Sequence, residues 1–405
     1  MANRGRPKKL VNTEVSVDDR NEKVVSKKSN SVISSLSIND FVKGMVKSIN
    51  RDYAEDKDSL VASVLTSAKI HHMPFISTGS IGLDVAIGIG GVPRGRIVEF
   101  YGPESGGKTT MALSVIAQAQ KAYPEDATVF IDAEHSLDPE WAKSMGINLD
   151  LMPIIQPRYG EEGLSIVEDV CKTGRVSVVV IDSVAALIPK AEWEGTMEDQ
   201  QMGAQARMMS KAMRKLGGVA KEKNVTLVFI NQIREKIGVM FGSNETTPGG
   251  RALKFYASVR IEVRRGKFIE NAVKDKIGVE VTIKVVKNKV GPPHRIAEFD
   301  LIYGKGINRA SEILVIGEKY KLLTKEGNTF YYDNGNGAEP IGGSKAKALA
   351  FLNENIAIAD KLTEEIMKVL NGSHDGSDIV IEDDIDEVED EEIDEDVENI
   401  EEDDE

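Results

Sequence analysis

Residues 102–109 read GPESGGKT and satisfy the pattern G-x-x-x-x-G-K-[ST], which carries meaning only between a strand and a helix. Both flanks are present. GRIVEFY (95–101) is a strand-like run of branched and aromatic residues, and TTMALSVIAQAQ (109–120) has Leu113, Ile116 and Ala117 at helical spacing toward one core. In such a loop glycines let backbone N–H groups close around phosphate oxygens, and the helix N-terminus adds a partial positive charge. Lys108 then reaches the outer phosphates and Thr109 offers its hydroxyl to Mg²⁺. A nucleoside triphosphate site is therefore expected on Gly102, Pro103, Glu104, Ser105, Gly106, Gly107, Lys108, Thr109 and Thr110.

A phosphate loop implies an α/β fold, and the surrounding chain supplies one. Short apolar runs at 96–101, 128–132, 176–182 and 226–231 alternate with helical patterns beginning near Lys108, Pro139, Glu161 and Ala204. This alternation predicts a mainly parallel sheet covered on both faces. Beyond Ser258 the period changes to two, through Val259, Ile261 and Val263 and then Val279, Val281, Ile283 and Val285, which predicts an antiparallel extension of the sheet. At 405 residues the chain has room for two to three structural units. The expected division is a basic disordered extension (1–37), an N-terminal helical segment (38–70), an ATPase core (71–307), a small C-terminal α/β domain (308–372) and an acidic disordered tail (373–405). The N-terminal helix is carried by Phe41, Met45 and Ile49, with a break near Arg51 and Asp52, and Asn334-Gly335 is the expected hairpin turn of the small domain.

The net charge of −15 argues against a nucleic-acid partner until it is divided. Residues 378–405 hold 19 acidic residues and no Lys or Arg, which leaves +4 on the rest of the chain. At the other end, Arg4-Gly5-Arg6-Pro7-Lys8-Lys9 reads either as a basic arm for an A·T minor groove or as a solvated basic terminus. A lone Cys171, no Cys/His cluster with zinc spacing, no apolar run of membrane-spanning length and no secretory signal lead to a cytoplasmic expectation.

Three strand ends carry further chemistry. VSVVVID ends in Asp182, the carboxylate expected to hold Mg²⁺ through water. FIDAEH places Glu134 just past a strand end, where it either polarises the attacking water or serves as an acid ahead of the helix that Asp138-Pro139 begins. LVFINQI holds Gln232, an amide able to sense a terminal phosphate. The long loop that follows, 233–250, starts basic with Arg234 and Lys236, carries Ile237, Met240 and Phe241, and ends in Gly249-Gly250. Basic and apolar side chains on such a loop suit the backbone and bases of a single strand. A second such segment spans 191–209, with Trp193 and Met202. Arg207 and Arg214, two helical turns apart, either track phosphates or form a solvated face.

The strings ISTGSIGLDVAIGIGGVPRGRIVE, YGPESGGKTT, FIDAEHSLDP, VVVIDSVAALIPKAE, ARMMSKAMRKL, FINQIREKIGVMFGSNETTPGG, ALKFYASVR and KVVKNK together resemble the bacterial RecA recombinase family. The resemblance runs from Ile76 to about Gly306, and more weakly to about Leu370. It implies a RecA-type phosphate-loop ATPase core using ATP and Mg²⁺, with Glu134 activating water, Thr109 and Asp182 at the metal and Gln232 sensing the γ-phosphate. It also implies Asp138 and Trp141 at the nucleotide, Trp141 beside the adenine, and Tyr303 approaching the base across a subunit interface. Lys287 and Lys289 would reach the nucleotide of a neighbouring protomer. Segments 192–203 and 233–250 look like the family's two DNA-binding loops, with Met202 and Ile237 against bases. Gly106 departs from the family's usual serine, which is expected to loosen the loop, and Arg251 from its asparagine. The N- and C-terminal extensions also fit a viral member.

The resemblance implies a DNA-dependent ATPase that forms a homo-oligomeric helical filament on single-stranded DNA and exchanges strands with homologous duplex DNA. A repressor and a single-strand-binding protein are its further expected partners. Two alternatives stand beside this reading. One is an ATP-gated filament acting mainly as a regulatory scaffold for repressor self-cleavage; the other is a related hexameric motor, against which the KIGVMFG and VKNK strings speak.

Overall fold

The computed structural model describes residues 37–53, 73–196, 203–235, 245–271, 273–333 and 337–372. The chain divides into two units, 1–72 and 73–405. In the first, helix α1 (Ile38–Tyr53) passes through Arg51 and Asp52, where a break was expected. None of its side chains is buried, and Phe41 and Met45 stand exposed along one stripe. The rest of the expected helix, 54–69, lies outside the described residues, as do the basic extension, the acidic tail and Asn334-Gly335.

The second unit opens with a short antiparallel pair, β1 (Phe75–Ile76) with β2 (Val92–Pro93), around helix α2 (Ile81–Ile87). The elements of the expected alternation follow: β3 (Ile97–Gly102), α3 (Lys108–Ala122), β4 (Ala127–Asp132), α4 (Pro139–Ser144), β5 (Ile154–Ile155), α5 (Gly160–Lys172), β6 (Val176–Asp182), α6 (Lys190–Glu194), α7 (Ala204–Lys223) and β7 (Thr226–Gln232). Two-residue strands β8 (Arg234–Glu235) and β9 (Glu245–Thr246) pair as the stem of a loop, and helix α8 (Ala252–Tyr256) leads into β10 (Val259–Glu270), β11 (Lys276–Asn288), β12 (Ile296–Ile302) and β13 (Gly306–Ile307).

Among the described residues the main sheet has nine strands, in the spatial order β13-β12-β11-β10-β3-β7-β6-β4-β5. β5 through β3 are parallel, and β11 to β13 are antiparallel. The expected antiparallel extension differs at its first member, because β10 pairs with β3 in parallel before β11 turns back along it. Every residue of β6 is buried, as a strand covered on both faces must be. Alternate residues feed two apolar layers. Val98, Phe100, Val228 and Ile230 face α3, whereas Ile97, Leu227 and Phe229 face α5 and α7. Helix α3 is buried on all sides from Met111 to Ala117, and not along the single stripe that its Leu113, Ile116 and Ala117 spacing suggested.

The C-terminal elements are α9 (Arg309–Lys319), an antiparallel sheet of β14 (Leu323–Glu326), β15 (Thr329–Asp333) and β16 (Ala338–Gly342), α10 (Lys345–Glu354) and α11 (Ile356–Gly372). The β14–β15 turn is at Gly327, whose φ of +62° suits glycine. This subdomain is anchored by Glu312 of α9, which accepts hydrogen bonds from Ser80 Oγ (2.7 Å), Gly82 N (3.0 Å) and Ile81 N (3.2 Å) at the N-terminus of α2. Nearby Asp84 accepts from Ser77 Oγ (2.5 Å) and from both N and Oγ1 of Thr78 (2.7 Å each). Burial pushes both carboxyls up to about 7.

Candidate functional site

The parallel strands β3, β4, β6 and β7 end side by side in Gly102, Asp132, Asp182 and Gln232, the edge at which open α/β sheets present their loops. From β3 the chain turns through the phosphate loop into α3, whose N-cap Gly107 has a φ of +95°. Pro103, Glu104 and Ser105 are exposed, while Gly106 is buried. A Cβ at Gly106 would come within 3.1 Å of the carbonyl oxygens of Pro103 and Val263. At Gly106 the loop thus lies close against β10.

Lys108 is buried and donates to the Gly102 and Pro103 carbonyls at 2.9 and 2.6 Å. Desolvation lowers its pKa, opposed by the charges of Asp182, Glu134 and Glu104. Thr109 Oγ1 donates to Asp182 Oδ2 at 2.7 Å. Burial pushes Asp182 up to about 6, and the charges of Glu134 and Asp132 add to that against the Thr109 hydrogen bond. A part-desolvated ammonium at a helix N-terminus, beside a hydroxyl and a carboxylate crowded by other carboxylates, is a donor set that triphosphate and a hard cation would both relieve. No group of three or more metal-ligating side chains occurs among the described residues.

Glu134 is exposed at the mouth of this site. Its Oε1 accepts from Ser183 Oγ (2.5 Å) and Gln232 Nε2 (2.9 Å). The helix that follows is capped by Asp138, whose carboxylate accepts from Glu140 N at 2.9 Å, with Glu134 four residues ahead of that cap. Trp141 is partly buried on α4 against the apolar layer, and Tyr303 stands half exposed just past β12.

Lys287 and Lys289 lie elsewhere. Val285 faces the α3 layer, and a β-bulge between the Ile261↔Val285 and Arg260↔Lys287 pairs turns Lys287 to the opposite side. There its ammonium donates to the Lys254 and Phe255 carbonyls at the end of α8 (2.5 and 2.9 Å), and Lys289 joins it on Phe255 O at 3.2 Å. The two lysines and the phosphate-loop helix are thus on opposite faces of the sheet.

Of the expected DNA-binding residues, Arg234 sits in the β8–β9 stem, paired with Thr246. Arg207 and Arg214 are exposed on α7. Gly249 and Gly250 both have positive φ, and a Cβ on either would come within 2.8 Å of Val184 or Ala206, so they press the loop stem against β6's end and α7. Met202, Lys236 and Ile237 lie outside the described residues.

The sequence reading missed Ser183, Asp132 and a buried cluster of Glu99, Asn231 and Arg260. Asp132 is buried at the end of β4 and accepts from Ser136 N, Leu137 N and Gln156 Nε2, ordering the turn that bears Glu134. A signal existed for Glu99, a lone acid inside the apolar run IVEFY.

A family model described as the RecA N-terminal domain matches residues 41–308. The chain is 50% identical over 295 residues to "Protein RecA" of Macrococcus caseolyticus, covering 73% of this chain and 82% of the relative. With "Protein RecA" of Campylobacter fetus it shares 52% over 303 residues (75% and 86%), and with that of Nautilia profundicola 51% over 326 residues (80% and 90%). A mainly parallel sheet, a phosphate loop on its central strand and likeness at this level over most of both chains lead to one assignment: the chain belongs to the RecA family of DNA recombinases.

Proposed function

We propose that the chain is a DNA-dependent ATPase that assembles as a cytoplasmic helical filament on single-stranded DNA and exchanges strands with homologous duplex DNA. The observation that carries this reading is the position of Gln232. It ends β7 at the phosphate-loop edge, touches Glu134, and leads directly into the basic, glycine-rich segment expected to bind DNA.

In this mechanism Lys108 leaves the loop carbonyls for the outer phosphates of ATP. Glu134 keeps one oxygen on Ser183 and takes a proton from the attacking water. Gln232 exchanges Glu134 for the γ-phosphate and returns when that group is lost, so the β8–β9 stem it leads into would respond to the nucleotide. Mg²⁺ would be held by Thr109 and, through water, Asp182, and it supplies charge neutralisation on the phosphates. Lys287 and Lys289, turned away from their own phosphate loop, would serve a neighbouring protomer. The exposed apolar stripe of α1 suits a helix that docks on another copy.

The test is ATP hydrolysis with and without single-stranded DNA, alongside joint-molecule formation with a homologous duplex. DNA-stimulated hydrolysis with joint molecules supports the proposal. Stimulated hydrolysis without joint molecules would reduce the protein to a scaffold, and unstimulated hydrolysis would overturn the proposal.

A further inference from the structure

Glu99 is the one charged residue in the six of β3, the strand that delivers the phosphate loop, and it is fully buried. A buried charge is costly unless every bond around it is made. Glu99 Oε2 accepts from Arg260 Nε at 2.5 Å, and the Arg260 guanidinium stacks 4.5 Å from the Tyr101 ring centre. Glu99 Oε1 accepts from Asn231 Nδ2 at 3.0 Å.

Asn231, also fully buried, uses its whole amide. Nδ2 donates a second time, to Pro248 O at 3.1 Å, just beyond the β8–β9 stem. Oδ1 accepts from the backbone N of Gln232 at 3.0 Å. One side chain thus touches the phosphate-loop strand, the backbone of the proposed phosphate sensor and the base of the proposed DNA loop. From Gln232 the contacts continue through Nε2 to Glu134. Glycine-required packing of Gly249 and Gly250 on Val184 and Ala206 fixes the segment immediately after Pro248.

We infer that Asn231 is a positioning residue that couples the β8–β9 stem of the 233–250 loop to Gln232, so that DNA engagement there alters ATP hydrolysis. The inference rests on the DNA-dependent ATPase reading. A shift of the stem at Pro248 must either carry the Asn231 amide with it or break a bond that nothing else in that buried cluster replaces. In either case the backbone of Gln232 feels it directly. The apolar residues of β7 are built to pack and have no such link to the stem.

The test compares the full-length protein with Asn231→Ala and Asn231→Ser. Serine keeps one donor, enough for Glu99 or Pro248 but not both. Equilibrium ATP binding and hydrolysis rates with and without poly(dT) are measured, after melting curves establish folding. The expected result is nucleotide affinity within about threefold of the natural protein and a DNA-stimulation ratio lowered about tenfold, the scale of a typical coupling between sites. An unchanged ratio, whether or not both rates fall together, would reduce Asn231 to a packing role and overturn the inference. Failure of both variants to fold would do the same. If the natural protein itself shows no DNA stimulation, the ATPase reading fails first, and the two failures are thereby told apart.

Discussion

The two halves of the sheet solve different problems with the same backbone. In the parallel half, strands β3, β4, β6 and β7 bring Gly102, Asp132, Asp182 and Gln232 to one edge, where each can meet a single small ligand. In the antiparallel half, β10 and β11 spend their polar positions on the opposite face, and the bulge beside Lys287 makes that choice. Parallel strands concentrate chemistry because their ends coincide. An antiparallel pair scatters it, so its charges suit a partner. On the proposed function, each protomer would hold the catalytic half of one nucleotide site, and Lys287 and Lys289 would be lent to another.

The largest effect is expected from removing the charge that the parallel half supplies. Lys108→Ala should lower hydrolysis by about 10²–10³-fold, the scale for losing one preorganised donor to a developing charge, and should weaken ATP-stabilised assembly. Phosphate release and light scattering read both. Glu134→Gln should cost about 10²-fold in hydrolysis while retaining ATP and locking the DNA-bound state. Hydrolysis by Glu134→Gln at the natural rate would remove Glu134 as the base and return it to a structural acid.

How much of this was legible depends on which interaction carries it. The parallel half was readable because its signals are local: GPESGGKT sits between its own strand and helix, and VSVVVID announces a strand buried on both faces by composition alone. The antiparallel half was readable only as periodicity. The parallel β3–β10 junction and the bulge that re-aims Lys287 depend on pairing between residues some 160 and 25 positions apart, which no local pattern encodes. Ser183 was hidden for the same reason, since its role is a contact with Glu134 49 positions away. The subdomain anchor at Glu312 joins residues 232 positions apart, and in sequence it is one acid on an ordinary amphipathic helix.

Two smaller effects probe the regions flanking the sheet. Truncation after Asn371 removes the 19 acidic residues of 378–405, which can compete with phosphates for basic surface, and should speed duplex association several-fold at low Mg²⁺ and low salt. Equal association rates under those conditions would leave the tail a solubilising role only. For Glu312, the folded pKa is raised from 4.5 to about 7, so folding takes up a proton in that window and the stability it contributes is lost as pH rises through it. Asp84, raised from 3.8 to about 7, adds the same sign. Melting temperature should therefore fall more between pH 5 and pH 8 in the natural protein than in Glu312→Gln, and parallel curves would show that Glu312 titrates alike in both states.

The division of one nucleotide site between two protomers is tested most directly by complementation. Glu134→Gln and the double variant Lys287→Ala, Lys289→Ala are each expected to hydrolyse ATP poorly on single-stranded DNA. Mixed in equal amounts, they create head-to-tail interfaces in which an intact Glu134 meets intact lysines, about a quarter of all interfaces if mixing is random. The account predicts recovery of hydrolysis toward that fraction. Co-assembled filaments that recover nothing, with the lysine variant also losing ATP affinity as an isolated protomer, would place both halves of the site in one chain and contradict it.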